Sequence, residues 1–520
     1  MKSTWKVFAV LIAALGVVFI RAGSATATDG SVKLGYTYTD EEGNLGVYQP
    51  TFNLYEGVAV SLEDFAHEFA NGLRVRGSLH NITLNNRRAN ATVGTRNLFG
   101  VDLTGAQYRR TYSFAGDRST RRDQWSGQGW VKPLPQVKLY GGYGLVSRKG
   151  TAVEWFEPGL FASPQAVQSI DYDQHRYHAG VQANHEGSML QAEMRRSDYR
   201  DQRVAANDRQ TTRYRVVSVT PLPRYRSLVL NAGFQHFRNE ITDAGRKLSA
   251  NTVWGGERLF LPAGFTAKYS FVFDRATNAG DRAATDDITN AVYLGKTWTR
   301  RAGVAIGFQR RQHDDIADEV QGNGYYAAGW VKPIAAWTVK GEFGAQQDEV
   351  KQGVTLTGDE DRSRIGLTSQ YEHRLGSVRL RYENRQRTND DIGTAVDFQR
   401  VSGEITVVEG IPGRLSGSYA VAFGDYETTD QGFAFRDHIL GGAWESPVFH
   451  KLQAEVDGTY YRSQRDLDVE SFSLRTVARY WFREEYHLEI GYRAHNFDDL
   501  LARDRYYTAN IVNVSIVKKL

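Results

Sequence analysis

From residue 31 to the C-terminus the chain alternates. Over residues 487–495, Leu488, Ile490, Tyr492 and Ala494 fall on one face, and His487, Glu489, Gly491, Arg493 and His495 fall on the other. Leu190, Ala192 and Met194 alternate with Gln191, Glu193 and Arg195; Val378, Leu380 and Tyr382 alternate with Arg379, Arg381, Glu383 and Arg385. Phe265, Ala267, Tyr269, Phe271 and Phe273 alternate with Thr266, Lys268, Ser270 and Asp274, with Val272 the exception. A period of two predicts β-strands with one apolar and one polar face. The runs are about 10–13 residues long, enough to cross a bilayer at a tilt. They recur as hairpins of roughly 35–40 residues, and the chain accommodates about 26 strands, an even number between about 24 and 26.

Two kinds of connection take turns. Short ones carry Pro or Arg, as in KPLP at 132–135, TPLP at 220–223, KPIA at 332–335, GIPG at 410–413 and ESPV at 445–448. Longer ones, rich in Asp, Asn, Gly and Thr, occupy 276–286, 313–323, 348–362 and 387–394. Alternating short and long links are expected of an up-and-down sheet whose two ends differ, as in outer-membrane barrels. The fold class predicted is therefore all-β, a large antiparallel up-and-down transmembrane β-barrel. A soluble β-propeller also repeats every 40 residues or so, but it fits four strands into that length where this chain fits two.

Tryptophan clusters at the short links. Trp130, Trp254, Trp298, Trp330, Trp444 and Trp481 precede one, Trp337 follows one, and beyond Trp5 only Trp125 and Trp155 lie elsewhere. An indole prefers the membrane interface, so the six preceding tryptophans are expected to form an interface girdle. The phrase GWVKP at 129–133 and again at 329–333 then marks a strand leaving the membrane, with Pro starting the turn because it cannot join a ladder.

Composition adds the compartment. A basic start at Lys2 and Lys6, an apolar run from Val7 to Ile20 and small residues at Ala25 and Ala27 have the layout of a secretory signal peptide. The expected division is 1–27 signal peptide and 28–520 outer-membrane β-barrel, with no plug ahead of the first strand. Removing Lys2, Lys6 and Arg21 takes the formal charge from +4 to +1, which gives no reason to expect a nucleic-acid partner. Cysteine is absent, which excludes disulfides and covalent C-x-x-C-H haem attachment in this chain. No later run of 18 apolar residues predicts a membrane helix.

Catalytic signatures are missing: there is no G-x-S-x-G, P-loop or H-E-x-x-H, and no enzyme activity is expected. The acidic pairs Asp314-Asp315 and Asp359-Glu360-Asp361 lack an EF-hand pattern, and no metal site is expected. The polar faces are more informative. Of 64 basic residues, 49 are arginine and 15 lysine, favouring the planar donor that pairs with carboxylates. Gln191, Glu193, Arg195, Arg379, Arg381, Glu383, Arg385, His487, Glu489 and Arg493 are expected to line the lumen. There they would brace the wall or contact a hydrophilic cargo.

About 26 strands left open would breach the permeability barrier, since 16–18 strands already leave an aqueous channel. The signal peptide, the opening GSVKLGYTYTDEEGN segment at 30–44, the strand number, the Arg-rich alternation and the missing plug resemble the MtrB/PioB-type outer-membrane barrels of porin–cytochrome electron conduits. That resemblance implies a sheath around a multihaem c-type cytochrome, carrying electrons across the outer membrane of a Gram-negative cell. An extracellular cytochrome is implied as a further partner. Haem would sit on the partner, with no cofactor in this chain. The sequence departs from such barrels in lacking an N-terminal C-x-x-C, and it ends in Lys518-Lys519-Leu520, where an aromatic is usual. Two other functions stay open from the residues alone: a passive diffusion porin for small solutes, and a soluble secreted β-repeat protein.

Overall fold

The computed structural model describes residues 25–43, 56–111, 119–154, 166–222, 225–241, 246–279, 284–314, 318–353, 359–391, 393–429, 431–501 and 506–520. Trp5, Trp155, the signal-peptide core and part of the long 148–167 link lie outside them. The first third contains β1 (Ala25–Gly43), β2 (Gly57–Phe69), β3 (Leu73–His80), β4 (Arg88–Thr95), β5 (Phe99–Thr111), β6 (Ser119–Leu134), β7 (Val137–Glu154), β8 (Ala166–His185) and β9 (Ser188–Asp201). Then come β10 (Arg209–Leu222), β11 (Tyr225–Ile241), β12 (Arg246–Phe260), β13 (Phe265–Ala279), β14 (Ala284–Trp298), β15 (Ala302–Asp314), β16 (Asp318–Ile334), β17 (Trp337–Gly353) and β18 (Glu360–His373). The chain ends with β19 (Gly376–Asn389), β20 (Thr394–Val407), β21 (Arg414–Glu427), β22 (Gly432–Glu445), β23 (Leu452–Arg465), β24 (Val469–Arg483), β25 (Tyr486–Asp499) and β26 (Tyr506–Lys519).

All 26 strands form one antiparallel sheet in which each strand pairs with its sequence neighbours. The sheet closes on itself where β1 pairs with β26, from Ser31 opposite Lys519 to Gly43 opposite Tyr507. Fold class and strand number are as the alternation predicts. No helix among the described residues is long and apolar enough to cross a membrane.

One face of the sheet carries large apolar side chains open to the surroundings: Leu34, Leu380 and Ile306 are each 56% exposed, and Leu440 is 54% exposed. On a soluble sheet so continuous an apolar surface would be unexplained; on a barrel it is the lipid-facing band of an outer-membrane protein. The opposite face is concave, because residues from several neighbouring strands line shared cavities there. It is the lumenal face.

The strands run longer than the sequence suggests. β16 and β17 have 17 residues each and absorb part of the Asp- and Thr-rich stretches expected to be loops. Once two neighbours are extended, each further polar residue adds ladder hydrogen bonds at little extra ordering cost, so pairing continues past the apolar band. β3 and β4 are the exception, with 8 residues each. The link between them folds back: the Ile82 amide donates to the Val60 carbonyl at 3.0 Å, and the Asn81 amide to Ser61 Oγ at 3.0 Å.

The repeated phrase marks the same junction twice. Pairing of β6 with β7 slips between Val131 and Leu134, and pairing of β16 with β17 slips between Val331 and Ile334. Proline sits in both slips, where its missing N–H removes no ladder bond. The lysine before it donates its amide to the preceding short link, Lys132 to the Leu98 carbonyl and Lys332 to the Arg301 carbonyl.

Candidate functional site

The register assigns every strand residue to a face. Lys33, Gln191, Glu193, Arg195, Arg379, Arg381, Glu383, Arg385, His487, Glu489 and Arg493 share the face of the sheet opposite Leu34, Leu190, Leu380 and Ile490. They belong to three separate groups.

The first group spans the closure. Lys33 on β1 reaches across β26 to Glu489 on β25, Nζ to Oε1 at 2.5 Å. On β26, Ser515 is opposite Glu489 and Val517 is opposite Lys33, and both are 3% exposed beneath the pair. Glu489 also accepts from Arg479 Nε at 2.9 Å, and Arg479 bonds Glu455 on β23. Arg475 continues the row with Asp457 at 3.2 Å. A line of alternating charge thus crosses five strands and includes the seam. Thr37 Oγ1 donates to Asn513 Oδ1 at 2.6 Å and adds a second bond across the closing pair. The 81–87 link folds over this wall and leaves a cavity of about 280 Å³ lined by Glu63, His80, Arg475, Glu489 and Arg493.

The second group covers β17 to β19. Glu383, 7% exposed, accepts from Arg385 at 2.5 Å and Arg381 at 3.1 Å, with Arg364 at 3.4 Å. Glu360, 11% exposed, pairs with Arg387 at 2.5 Å and with Arg362. Asp348 is buried too and is held by Gln346. The five guanidiniums are 46–59% exposed. The acids therefore sit at the wall and the arginines spread over them.

The third group is smaller. Gln191 donates to Tyr140 Oη at 2.7 Å, Tyr140 donates to Glu193 at 3.1 Å, and Glu193 holds Arg195. His487 packs on Trp481 with ring centroids 5.2 Å apart.

The tryptophans divide. Trp298 and Trp444 lie on the outer face near the short links, as does Trp337, the side an interface girdle requires. Trp130, Trp254, Trp330 and Trp481 do not: they point into the lumen, opposite Gly100, Gly233, Gly303 and His487 respectively. This corrects the expectation of a single outward girdle of six. In GWVKP it is Val131 and Val331, 42% and 43% exposed, that meet lipid. The indoles of Trp130 and Trp330 lie flat on the wall because the facing residue is glycine; a Cβ at Gly100 or Gly303 would collide with the ring. Lys132 and Lys138 cover the Trp130 ring at 5.6 and 5.2 Å.

Sequence reasoning passed over Lys33, Arg362, Arg364, Arg475 and Arg479. Lys33 lies between Val32 and Leu34 and Arg479 between Ala478 and Tyr480, so the two-residue period identifies them; Arg362, between Asp361 and Ser363, carries no such signal. Among the described residues no group of His, Asp and Glu has the arrangement of a metal site.

No protein-family model matches the sequence, and no curated protein matches it either. Solved structures do. The barrel is similar to the siderophore receptor PirA from Acinetobacter baumannii, with a TM-score of 0.54 at 8% identity over 96% of this chain and 81% of that one. It is also similar to the FrpB iron transporter from Neisseria meningitidis, with a TM-score of 0.51 at 10% identity over 82% of each chain. At these identities the likeness is one of fold.

Proposed function

We propose that this chain is an insulating sheath. It holds a folded multihaem c-type cytochrome inside an outer-membrane barrel, so that electrons cross the membrane on the partner's haems. The observation that carries the reading is the width of the closed wall. A circular ring of 26 strands, spaced about 4.8 Å and tilted about 40°, has a backbone diameter of about 50 Å, and side chains leave roughly 35 Å. A compact domain of about 100 residues has a similar diameter. The described residues are strands and the links between them, and they are all wall.

The chemistry of the lumen supports a protein cargo. Mixed charges at ordinary hydrogen-bond distances, with flat aromatic rings between them, suit a hydrophilic protein surface better than a hydrocarbon one. The sheath contributes no redox group of its own. It fixes the partner in register and excludes lipid.

Purification from the native membrane tests this. A haem-staining protein should travel with the barrel in fixed ratio, and deleting the barrel should strand or destabilise that protein. Reversing several charges on one inner wall should loosen the partner without unfolding the barrel. A second reading, solute passage, has its support in the matched structures, a siderophore receptor and an iron transporter. A barrel that purifies alone and conducts small ions in planar bilayers would replace the sheath with that reading.

A further inference from the structure

We infer that the arginine-covered wall of β16 to β19 is a binding site for a polyanionic small molecule with two or more carboxylates and a flat apolar body. A lumenal cavity of about 740 Å³ opens there. Arg362, Arg364, Arg385 and Arg387 line it, and no carboxylate does. Glu360 and Glu383, which neutralise these arginines from beneath, are nearly inaccessible; Arg364 also meets Glu342, 44% exposed, at 3.1 Å, and Glu342 is not part of the cavity lining.

Each guanidinium has five N–H donors in a fixed fork, and pairing with one carboxylate oxygen occupies only one or two of them. The four arginines are about half exposed, so the remaining donors face the cavity. Their side chains come from two adjacent strands, in two cross-strand pairs: Arg364 opposite Arg385 and Arg362 opposite Arg387. Each opposed pair shares one acid beneath it, Glu383 for Arg364 and Arg385 and Glu360 for Arg362 and Arg387, which offsets their repulsion and still leaves further donors of each fork over. The arrangement presents two forks one above the other, the geometry that bidentate carboxylate or phosphate recognition uses.

The far side of the same cavity is aromatic. Tyr293 and Tyr326 meet edge to face with centroids 6.2 Å apart. Tyr293 lies flat against the wall because Gly307 opposite it has no Cβ to collide with the ring. A ligand with anionic groups on one side and a ring on the other satisfies both ends. The site is part of this chain's own wall, and the inference stands whether or not a partner protein occupies the rest of the lumen.

The test uses the full chain expressed without a partner, purified in mild detergent and checked for the heat-modifiable mobility of a folded barrel. Two probes are titrated calorimetrically, benzene-1,3,5-tricarboxylate and citrate. Both should bind, the aromatic one several-fold tighter. Arg385→Gln/Arg387→Gln should weaken both at least tenfold, while Glu383 keeps Arg364 and Arg381 and Glu360 keeps Arg362. Tyr326→Ser should remove the advantage of the aromatic probe and leave citrate unchanged. Arg213, on β10 opposite Arg195, belongs to another wall; Arg213→Gln/Arg493→Gln, which removes the same charge away from the cavity, should leave both probes within about twofold. Absence of binding by either probe overturns the inference. So does an equal loss in the two double variants, which would mean a diffuse field rather than a site. Phosphate binding as tightly as the tricarboxylate would reassign the ligand to simple anions and overturn the two-ended chemistry.

Discussion

At the seam, cation and carboxylate alternate one to one from Lys33 to Asp457; over β17 to β19, Glu360 and Glu383 each serve two or three arginines. The two walls use the same residue types in a similar sheet. At the seam each charge has partners on neighbouring strands, and Arg479, 23% exposed, and Glu489, 18% exposed, are well covered. On the other wall Glu360 and Glu383 are covered, Glu342 is not, and the arginines remain open to the lumen. The first arrangement is built to hold strands together. The second leaves hydrogen-bonding capacity unspent. Arginine content therefore does not distinguish a brace from a binding surface, whereas the exposure of the cations and the ratio of charges do.

Variants at each wall can break this comparison. Glu489→Lys should have the largest effect, because it sets three cations together at a half-covered seam; we expect about 2–4 kcal/mol, read as a lower temperature for loss of the folded gel band. Unchanged mobility would show that the ladder alone closes the barrel. Glu383→Gln should cost less, about 1–2 kcal/mol, since water reaches its three guanidiniums and screens their repulsion. Trp330→Ala should destabilise by about 1 kcal/mol through the lost ring contact over Gly303, and Gly303→Ala in that background should recover part of it. Recovery would fail if the ring were not seated on the glycine. Arg385→Gln should be smallest, below about 1 kcal/mol, because Glu383 retains two partners. Raising salt to about 1 M contracts the screening length from about 10 Å to 3 Å. The penalties on the arginine wall should then fade more than the seam penalty, and equal fading would erase the distinction between the walls.

The barrel was legible in the sequence because period two is a local property. His487 to His495 and Arg379 to Arg385 declare their faces without reference to any other strand. The tryptophans were not legible in the same way. Position beside a short link fixes their depth along the strand, but their face depends on parity, and Trp130 and Val131 are adjacent members of one alternation. The glycine that makes room for each ring is some 30 residues away, Gly100 for Trp130 and Gly303 for Trp330, and that pairing exists only once the register is known. Strand ends were missed for a related reason: Asp- and Thr-rich segments read as loops one at a time, but pair as strands when their neighbours are already extended. The grouping of Lys33 with Glu489 required closure, since 456 residues separate them.

The closing pair has a consequence for how the molecule comes to exist. Every other strand pairing joins consecutive segments, so the sheet can grow hairpin by hairpin with little entropic delay. The final pairing of Ser31 with Lys519 has no such help. Until β26 has been made and brought round, the sheet has two unpaired edges, each a template for another chain. Loss of the last 14 residues would thus not yield a slightly weaker barrel. It would yield an open ribbon prone to join its neighbours, and assembly is committed only when β26 reaches β1.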